Sequence, residues 1–457
     1  MEKEKSSKSN LTEGSILDKL LFIAIPIMGT QVIQMAYNMT DMFWLGRLGS
    51  NAVAAAGTAG MFLWLSMTFN MFGRMGAEIG VSQNLGRNDV ETAKEYGQSS
   101  LTISLILGIL FTLFLIVFRN QLVGFFDIQE EEVVAMTVEY LVYVSLGIPF
   151  SFVSGAAMGI ANGSGNSRLP FFISIIGLVI NVVLDPYLIF NMNMGVAGAA
   201  IATVLAQSVV CVIALWALKK HSSRPFDNFK LFKISNRAVI KQIFVWATPI
   251  AVESFLFTFL SMFISRFIAV FGAGAMASQR IGSQIESLSW LIAGGFSSAL
   301  TAYIGQNFGA LKWPRIHQGF KISMGIMSVW GIIVTIVLYF LGGTIFALFL
   351  PGEPEVIEMG ANYLRILAVC QFVSCLEGIS SGAFRGMGKT TIPSVVSATS
   401  NFGRVIAAYF LHKTSMGLDG IWWAVAIGAF VRGAWMFAWY MISSGKLPKV
   451  EGALEEV

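Results

Sequence analysis

Long apolar runs separated by short polar clusters make up almost the whole chain, and the runs are apolar all round rather than alternating. Leu101–Phe118 and Phe171–Phe190 are two examples; a membrane-crossing helix needs roughly 20 such residues. Charge and turn clusters divide the sequence into twelve spans. The first half gives 17–46, 52–80, 96–118, 132–160, 168–191 and 196–218. The second gives 241–270, 275–305, 317–350, 355–383, 392–413 and 418–443. Several exceed one crossing, which predicts tilt, bending or projection into water. A transmembrane barrel would instead show weak alternation in segments of about ten residues. The expected fold class is an all-α polytopic membrane protein with 12 transmembrane helices.

The punctuation between the runs occurs twice, 223 positions apart. Gln83-Asn84-Leu85-Gly86 returns as Gln306-Asn307-Phe308-Gly309, and Pro26 as Pro249. Tyr140 returns as Tyr363, Gly155 and Gly159 as Gly378 and Gly382, and Gly163, Gly165 and Pro170 as Gly386, Gly388 and Pro393. Gly195 and Gly198 answer Gly417 and Gly420 with the offset slipped by one. Each half has an even number of spans, so both enter the membrane the same way up. Two six-helix lobes related by a pseudo-two-fold along the membrane normal follow. Such bundles are expected to face one another across a cleft, as alternating access requires. The expected organisation is an N-terminal tail 1–16, an N-lobe 17–218, an inter-lobe linker 219–240, a C-lobe 241–443 and a C-terminal tail 444–457.

Composition agrees with the pattern. Of 457 residues 55% are hydrophobic and 12% charged, where soluble domains carry about 25% charged; mean hydropathy is +0.70. Lys and Arg collect on one side: Lys3, Lys5, Lys8, Arg87, Lys94, Arg168, the run from Lys219 to Lys241, Lys312, Arg315, Lys321, Arg385, Lys389, Lys446 and Lys449. The opposite loops hold Arg47, Arg119 and Lys413, with acidic clusters at Asp127–Glu132 and Glu353–Glu358. Both termini are therefore expected in the cytoplasm, with the chain multi-pass in the cell membrane. Topology accounts for the basic linker, so no nucleic-acid partner is expected; the bilayer and small molecules are the expected partners, and the chain is expected to be a monomer. Met1–Gly14 is polar and does not read as a cleavable signal. Cys211, Cys370 and Cys375 fall in apolar segments and read as buried small hydrophobes. No cofactor is expected. An intramembrane enzyme is disfavoured, because His221, His317 and His412 sit at span ends and neither Gly-x-Ser-x-Gly nor His-Glu-x-x-His occurs.

Chemistry enters where the repeat breaks. An ionisable residue inside a span is costly and marks a functional candidate. The first half has two deep carboxylates, Asp41 in the first span and Asp185 in the fifth; their counterparts are Ile264 and Ala408. Asp41, Asp185, Thr203 and Tyr140 all fall roughly 8–12 Å from the outer span ends. Asn181 is one turn before Asp185. In the first span Thr30, Gln34, Tyr37, Asn38 and Asp41 make a polar stripe, and Thr203 with Gln207 makes another in the sixth. A polar pocket in the outer half of the N-lobe, centred on two acids, is the expected object. Desolvation and mutual repulsion favour a proton on one member of such a pair, which suits a proton-coupled carrier; the same oxygens suit Na⁺. Pro26 lies fifteen residues inward of Asp41 and weakens the first span there; a hinge is favoured over a static kink. Met35, Met39, Met61, Phe150 and Met158 are candidates for a cavity that repacks around varied apolar solutes. In the second half Glu253, Arg280, Glu286, Glu377 and Arg404 are the polar candidates, with Arg280 or Arg404 expected to neutralise the acids.

At these residues the chain resembles the multidrug and toxic compound extrusion (MATE) transporters, particularly their prokaryotic DinF-like branch. The resemblance covers roughly 15–445 and rests on Pro26, Tyr37-Asn38-Met39-Thr40-Asp41, Gly46-Arg47-Leu48-Gly49 and the repeated Gln-Asn-x-Gly. Ala161–Pro170, Asn181, Asp185-Pro186 and Gly195-Val196-Ala197-Gly198-Ala199-Ala200 to Thr203 also match. It implies a V-shaped antiporter exporting cationic, lipophilic compounds in exchange for H⁺ or Na⁺. It also implies that Asp41, Asn181, Asp185 and Thr203 form the cation and proton network, with Tyr140 nearby and Pro26 bending the first helix. The other main branch keeps a cation site in its C-lobe, on a helix 7 glutamate and a helix 10 aspartate; here Glu253 and Glu377 are poor matches to it. The alternative is a flippase for lipid-linked saccharides with the same repeat plan, for which Arg266, Arg280 and Arg404 are candidate pyrophosphate contacts.

Overall fold

A computed structural model describes residues 10–128, 130–220, 224–233, 236–349, 353–448 and 451–452. Lys3, Lys5, Lys8, His221 and Lys449, used above to argue topology and chemistry, lie outside them. Among the described residues the regular structure is helical: α1 Ile16–Leu48, α2 Ser50–Gly86, α3 Val90–Val117, a short α4 Arg119–Gly124, α5 Glu131–Ser145, α6 Ile148–Gly163 and α7 Arg168–Pro186. A π turn, Tyr187–Asn191, follows α7. Then come α8 Gly195–Lys220, α9 Arg237–Ala269, α10 Ala273–Gly309, α11 Trp313–Phe349, α12 Pro354–Gly386, α13 Thr391–Leu411 and α14 Gly417–Ser444. Ten of these helices are long and apolar enough to cross a membrane, and the pair α5–α6 makes an eleventh span bent by 43°. Helix α13 is the twelfth expected segment; Ser394, Ser397, Ser400, Asn401 and Arg404 lower its hydropathy. Large apolar side chains such as Trp64, Phe340 and Phe410 are exposed, as a lipid-facing surface requires. The chain is a multi-pass, all-α membrane protein.

The repeat is visible in the backbone. Helix α2 begins at Ser50 and α10 at Ala273, and they end at Gly86 and Gly309, each 223 positions on. After both, the Gln-Asn-x-Gly segment closes the helix in the same way. Asp89 N–H donates to the Asn84 carbonyl and Asn88 N–H to Leu85, and Lys312 and Leu311 repeat the pattern to Asn307 and Phe308. These bonds satisfy the last carbonyls of each helix. The Asn84 and Asn307 amides add bonds to the carbonyls of Gly80 (2.7 Å) and Tyr303 (2.9 Å).

The repeated glycines are contact points. Gly155, Gly159 and Gly163 on α6 lie against Asn70, the Arg74 carbonyl and Glu78 on α2. Gly382 and Gly386 on α12 lie against the carbonyls of Ser297 and Thr301 on α10, where a Cβ would sit 2.6 and 2.7 Å from oxygen. Small residues at every fourth position let two membrane helices approach this closely. One repeat difference is backbone-deep. The α5–α6 break falls at Leu146-Gly147, with Pro149 in the first turn of α6 and its Cα against Gly108. Phe372 stands where Pro149 would recur, and α12 runs unbroken.

Two compact units are separable, Leu21–Ala251 with Met1–Glu13 and Val252–Val457 with Gly14–Leu20. In the first, α2, α3, α6 and α8 surround clusters that include Ala77, Val81, Leu101, Val153 and Cys211. In the second, α12 is central and packs on α10, α11 and α14 around Tyr363, Leu364, Leu367 and Trp422.

Candidate cation-coupling site

Four helices of the first unit bring the acids together. Asp185 is the penultimate residue of α7. Pro186 cannot donate a backbone bond, and the chain widens at once into the π turn, a device frequent at functional sites. Helix α8 closes on that turn because Gly198 leaves room: a Cβ there would lie 2.8 Å from the Leu188 carbonyl carbon. This approach carries Thr203 into the site. Asn181 and Asp185, one turn apart on α7, are fully buried, and Thr203 and Tyr140 nearly so.

Asn181 Nδ2 donates to Asp185 Oδ1 (3.1 Å), Thr203 Oγ1 donates to Asp41 Oδ2 (3.4 Å), and the Tyr37 hydroxyl donates to the Thr203 carbonyl (3.4 Å). Asp41 lies beside both Asp185 and Asn181, and Tyr140 lies near both acids. Three acceptor oxygens in this cluster, Asp41 Oδ1, Asn181 Oδ1 and Asp185 Oδ2, are buried with no partner. Buried polar groups are normally bonded, so these three oxygens are open to a further donor or a cation.

The other expected residues separate from it. Thr30 Oγ1 turns back onto the Pro26 carbonyl (3.0 Å) and drops out of the polar stripe. Helix α1 continues through Pro26, and the Ser167 hydroxyl donates to the Ile23 carbonyl (3.0 Å) beside the weakened turn. Gln34, Asn38, Met39, Met61 and Phe150 are exposed, whereas Met35, Met158 and Gln207 are half-buried. Gln207 packs against Gly147 at the α5–α6 break. Among the described residues Gln34, Asn38 and Gln207 form no hydrogen bond to the acids. No group of three or more His, Cys, Asp or Glu side chains among them is set to hold a metal ion.

A family model described as MatE matches residues 26–187 and 249–410, two stretches again offset by 223. The chain belongs to the MatE family. It is 26% identical over 444 residues to a probable multidrug resistance protein NorM of Thermotoga maritima, covering 95% of this chain and 94% of that protein. It is 23% identical over 417 residues to the multidrug export protein MepA of Staphylococcus aureus, covering 90% of each. Its fold is similar to a solved structure of MATE in the straight conformation, with TM-score 0.89 at 23% identity over 97% of this chain and 99% of the other. A MOP superfamily transporter from Pyrococcus furiosus gives TM-score 0.90 at 23% identity, with the same coverage.

The second unit of this MatE chain distributes its charge differently from the sequence expectation. Arg280 is exposed and Arg404 donates to Ser261 Oγ (2.7 Å) over the Phe257 ring, so neither forms the expected ion pair. Arg432 of α14, which the sequence reading passed over, pairs with Glu377 (2.8 Å). Arg385 reaches Glu253 (3.5 Å), which also accepts from Ser394 Oγ (2.9 Å). Glu286 takes three bonds from neutral groups: Gln371 Nε2 (2.8 Å), Trp290 Nε1 (3.1 Å) and the Tyr363 hydroxyl (3.3 Å). Arg432 was detectable as an arginine midway along an apolar span, and Tyr363 as the repeat counterpart of Tyr140. Nothing local marked Gln371, Trp290 or Ser394.

Proposed function

We propose that this protein is a multidrug exporter that exchanges cationic or lipophilic compounds for H⁺ or Na⁺ by alternating access. The observation that carries the reading is the Asp41/Asp185 pair with its three unpartnered oxygens. A proton on either acid partners two of these oxygens, and a cation among the oxygens of Asp41, Asp185, Asn181 and Thr203 can partner all three. A cationic substrate competes for the same negative charge, so binding one displaces the other and exchange is obligatory. Family membership and the drug-resistance names of the relatives support the substrate class. Acids built on α1 and α7 alone support the DinF-like branch, because Glu253 and Glu377 are already matched by Arg385 and Arg432. Tyr140 and Tyr37 orient the pair, Pro26 is the hinge, and Gln34, Met35, Asn38, Met61, Phe150, Met158 and Gln207 line the substrate path. Both termini are cytoplasmic on this reading, and 17–218 and 241–443 act as the two lobes.

The test is dye efflux from proteoliposomes under separate pH and Na⁺ gradients. Asp41→Asn/Asp185→Asn is expected to incorporate normally and to lose gradient-driven efflux. Pumping at the wild-type rate by that variant refutes the mechanism, and whichever gradient drives the wild type names the ion.

A further inference from the structure

The second unit holds a buried carboxyl that the exchange mechanism leaves unused. Glu286 lies thirteen residues into α10, and it, Tyr363 and Gln371 are each buried. Its donors are all neutral. A carboxylate in the membrane interior held only by neutral groups is expensive, yet three donors make the ionised form tenable.

The partners also accommodate the neutral form. Gln371 and Trp290 both bond Oε1, which leaves Oε2 facing a single group, the Tyr363 hydroxyl. A hydroxyl donates or accepts by rotating about its C–O bond. Beyond it the Gln279 side chain reaches the same hydroxyl, and Gln279 Oε1 is buried with no partner. The ring itself is fixed: Gly282 leaves a slot for it, and it meets Trp422 edge-on at 5.4 Å and 80°. Among the described residues, the other titratable or charged groups acting on Glu286 or Tyr363 are Cys370 of α12, Arg404 of α13 and Arg432 of α14. Arg432 is engaged by Glu377 and Arg404 by Ser261.

We propose that Glu286 is a second proton-binding site, loaded during transport independently of Asp41 and Asp185, with the Tyr363 hydroxyl as the partner of the added proton. A hydronium ion gives its proton to Oε2, forming one O–H bond and leaving water. The new O–H donates to the Tyr363 oxygen, whose own O–H rotates away from the carboxyl. Tyr363 is the counterpart of Tyr140, so each half sets its repeated tyrosine beside its own acid, built on different helices. The transport role rests on the exchange function proposed above.

Infrared difference spectra of the full-length protein in lipid vesicles, titrated in H₂O and D₂O, read the proton directly. A protonated-carboxyl band is expected that persists in Asp41→Asn/Asp185→Asn and vanishes in Glu286→Gln. Tyr363→Phe keeps Glu286 but removes its partner, so the band should move in frequency; this variant also serves if Glu286→Gln fails to fold. Proton uptake per exported substrate should be lower in Glu286→Gln than in the wild type. An unchanged set of bands in Glu286→Gln, an unmoved band in Tyr363→Phe, or an unchanged uptake ratio overturns the proposal. Loss of transport coupling is scored separately by Asp41→Asn/Asp185→Asn, whose surviving band does not depend on it.

Discussion

Arg432→Met should destabilise the protein far more than replacing Arg432 and Glu377 together. Arg432 is buried and Glu377 half-buried, at 7% and 16% side-chain exposure, and their atoms meet at 2.8 Å. Removing the guanidinium strands a carboxylate on α12, the central helix of its unit. Such a loss costs about 3–5 kcal/mol, whereas exchanging the whole pair for apolar groups is often neutral. At about 2–4 °C per kcal/mol for a unit of this size, the single variant should melt roughly 6–20 °C lower. The chain supplies its own reporters, because Cys211, Cys370 and Cys375 are free and buried. A thiol-reactive fluorogenic dye therefore follows unfolding, with two of the three thiols on α12. Arg432→Met/Glu377→Leu should recover most of the loss. If the double variant melts as low as the single one, Arg432 is not what neutralises Glu377. That acid would then be available to a transported cation.

Gly159→Val should destabilise the protein by about 1–3 kcal/mol, since its Cβ would press on the Arg74 backbone. Gly57→Ala, with nothing within 4 Å, is the matched control and should be near neutral. Leu311 holds the left-handed conformation at φ 55, where its repeat counterpart Asn88 has φ 60; Leu311→Asn should stabilise the protein by roughly 1 kcal/mol. Asp89 caps α3 in the polar connection after α2. The Thr92 backbone N–H and hydroxyl (3.0 and 2.7 Å) hold its carboxyl below the usual carboxylate range. Its capping contribution should thus be whole above the ordinary carboxylate value and fade as pH falls through the lowered one. Asp89→Ala, losing about 1 kcal/mol at neutral pH, should show little further loss on acidification, and equal acid sensitivity in both proteins would refute the cap.

The frame was readable because backbone contacts impose narrow demands on sequence. Gly159 and Gly382 each face a carbonyl where no side chain fits, and Gly165 and Gly388 take φ 80 and 77. Such positions tolerate few residues, so two copies of one frame stay matched in sequence. The acid cluster was readable for another reason: Asn181 and Asp185 sit one helical turn apart, and depth alone sorted Asp41, Thr203 and Tyr140 into the same layer. The stripe on α1 misled at Thr30, because a threonine hydroxyl in a helix satisfies itself on the carbonyl four residues back.

Ion pairs in the second unit were illegible for a physical reason. Arg432 and Glu377 lie 55 positions apart on α14 and α12, and a long guanidinium reaches several neighbouring helices. Depth does not choose among Arg280, Arg404 and Arg432; only the packing does. Phe257 and Ser261 take Arg404 away from the acids, which leaves Glu286 to neutral donors. A charged group in a bundle is thus assigned by competition among all its possible partners, whereas a glycine contact is settled by the one backbone it touches. Repetition in sequence therefore identifies the duplicated frame, and the unduplicated charges mark where the two halves took up separate chemistry.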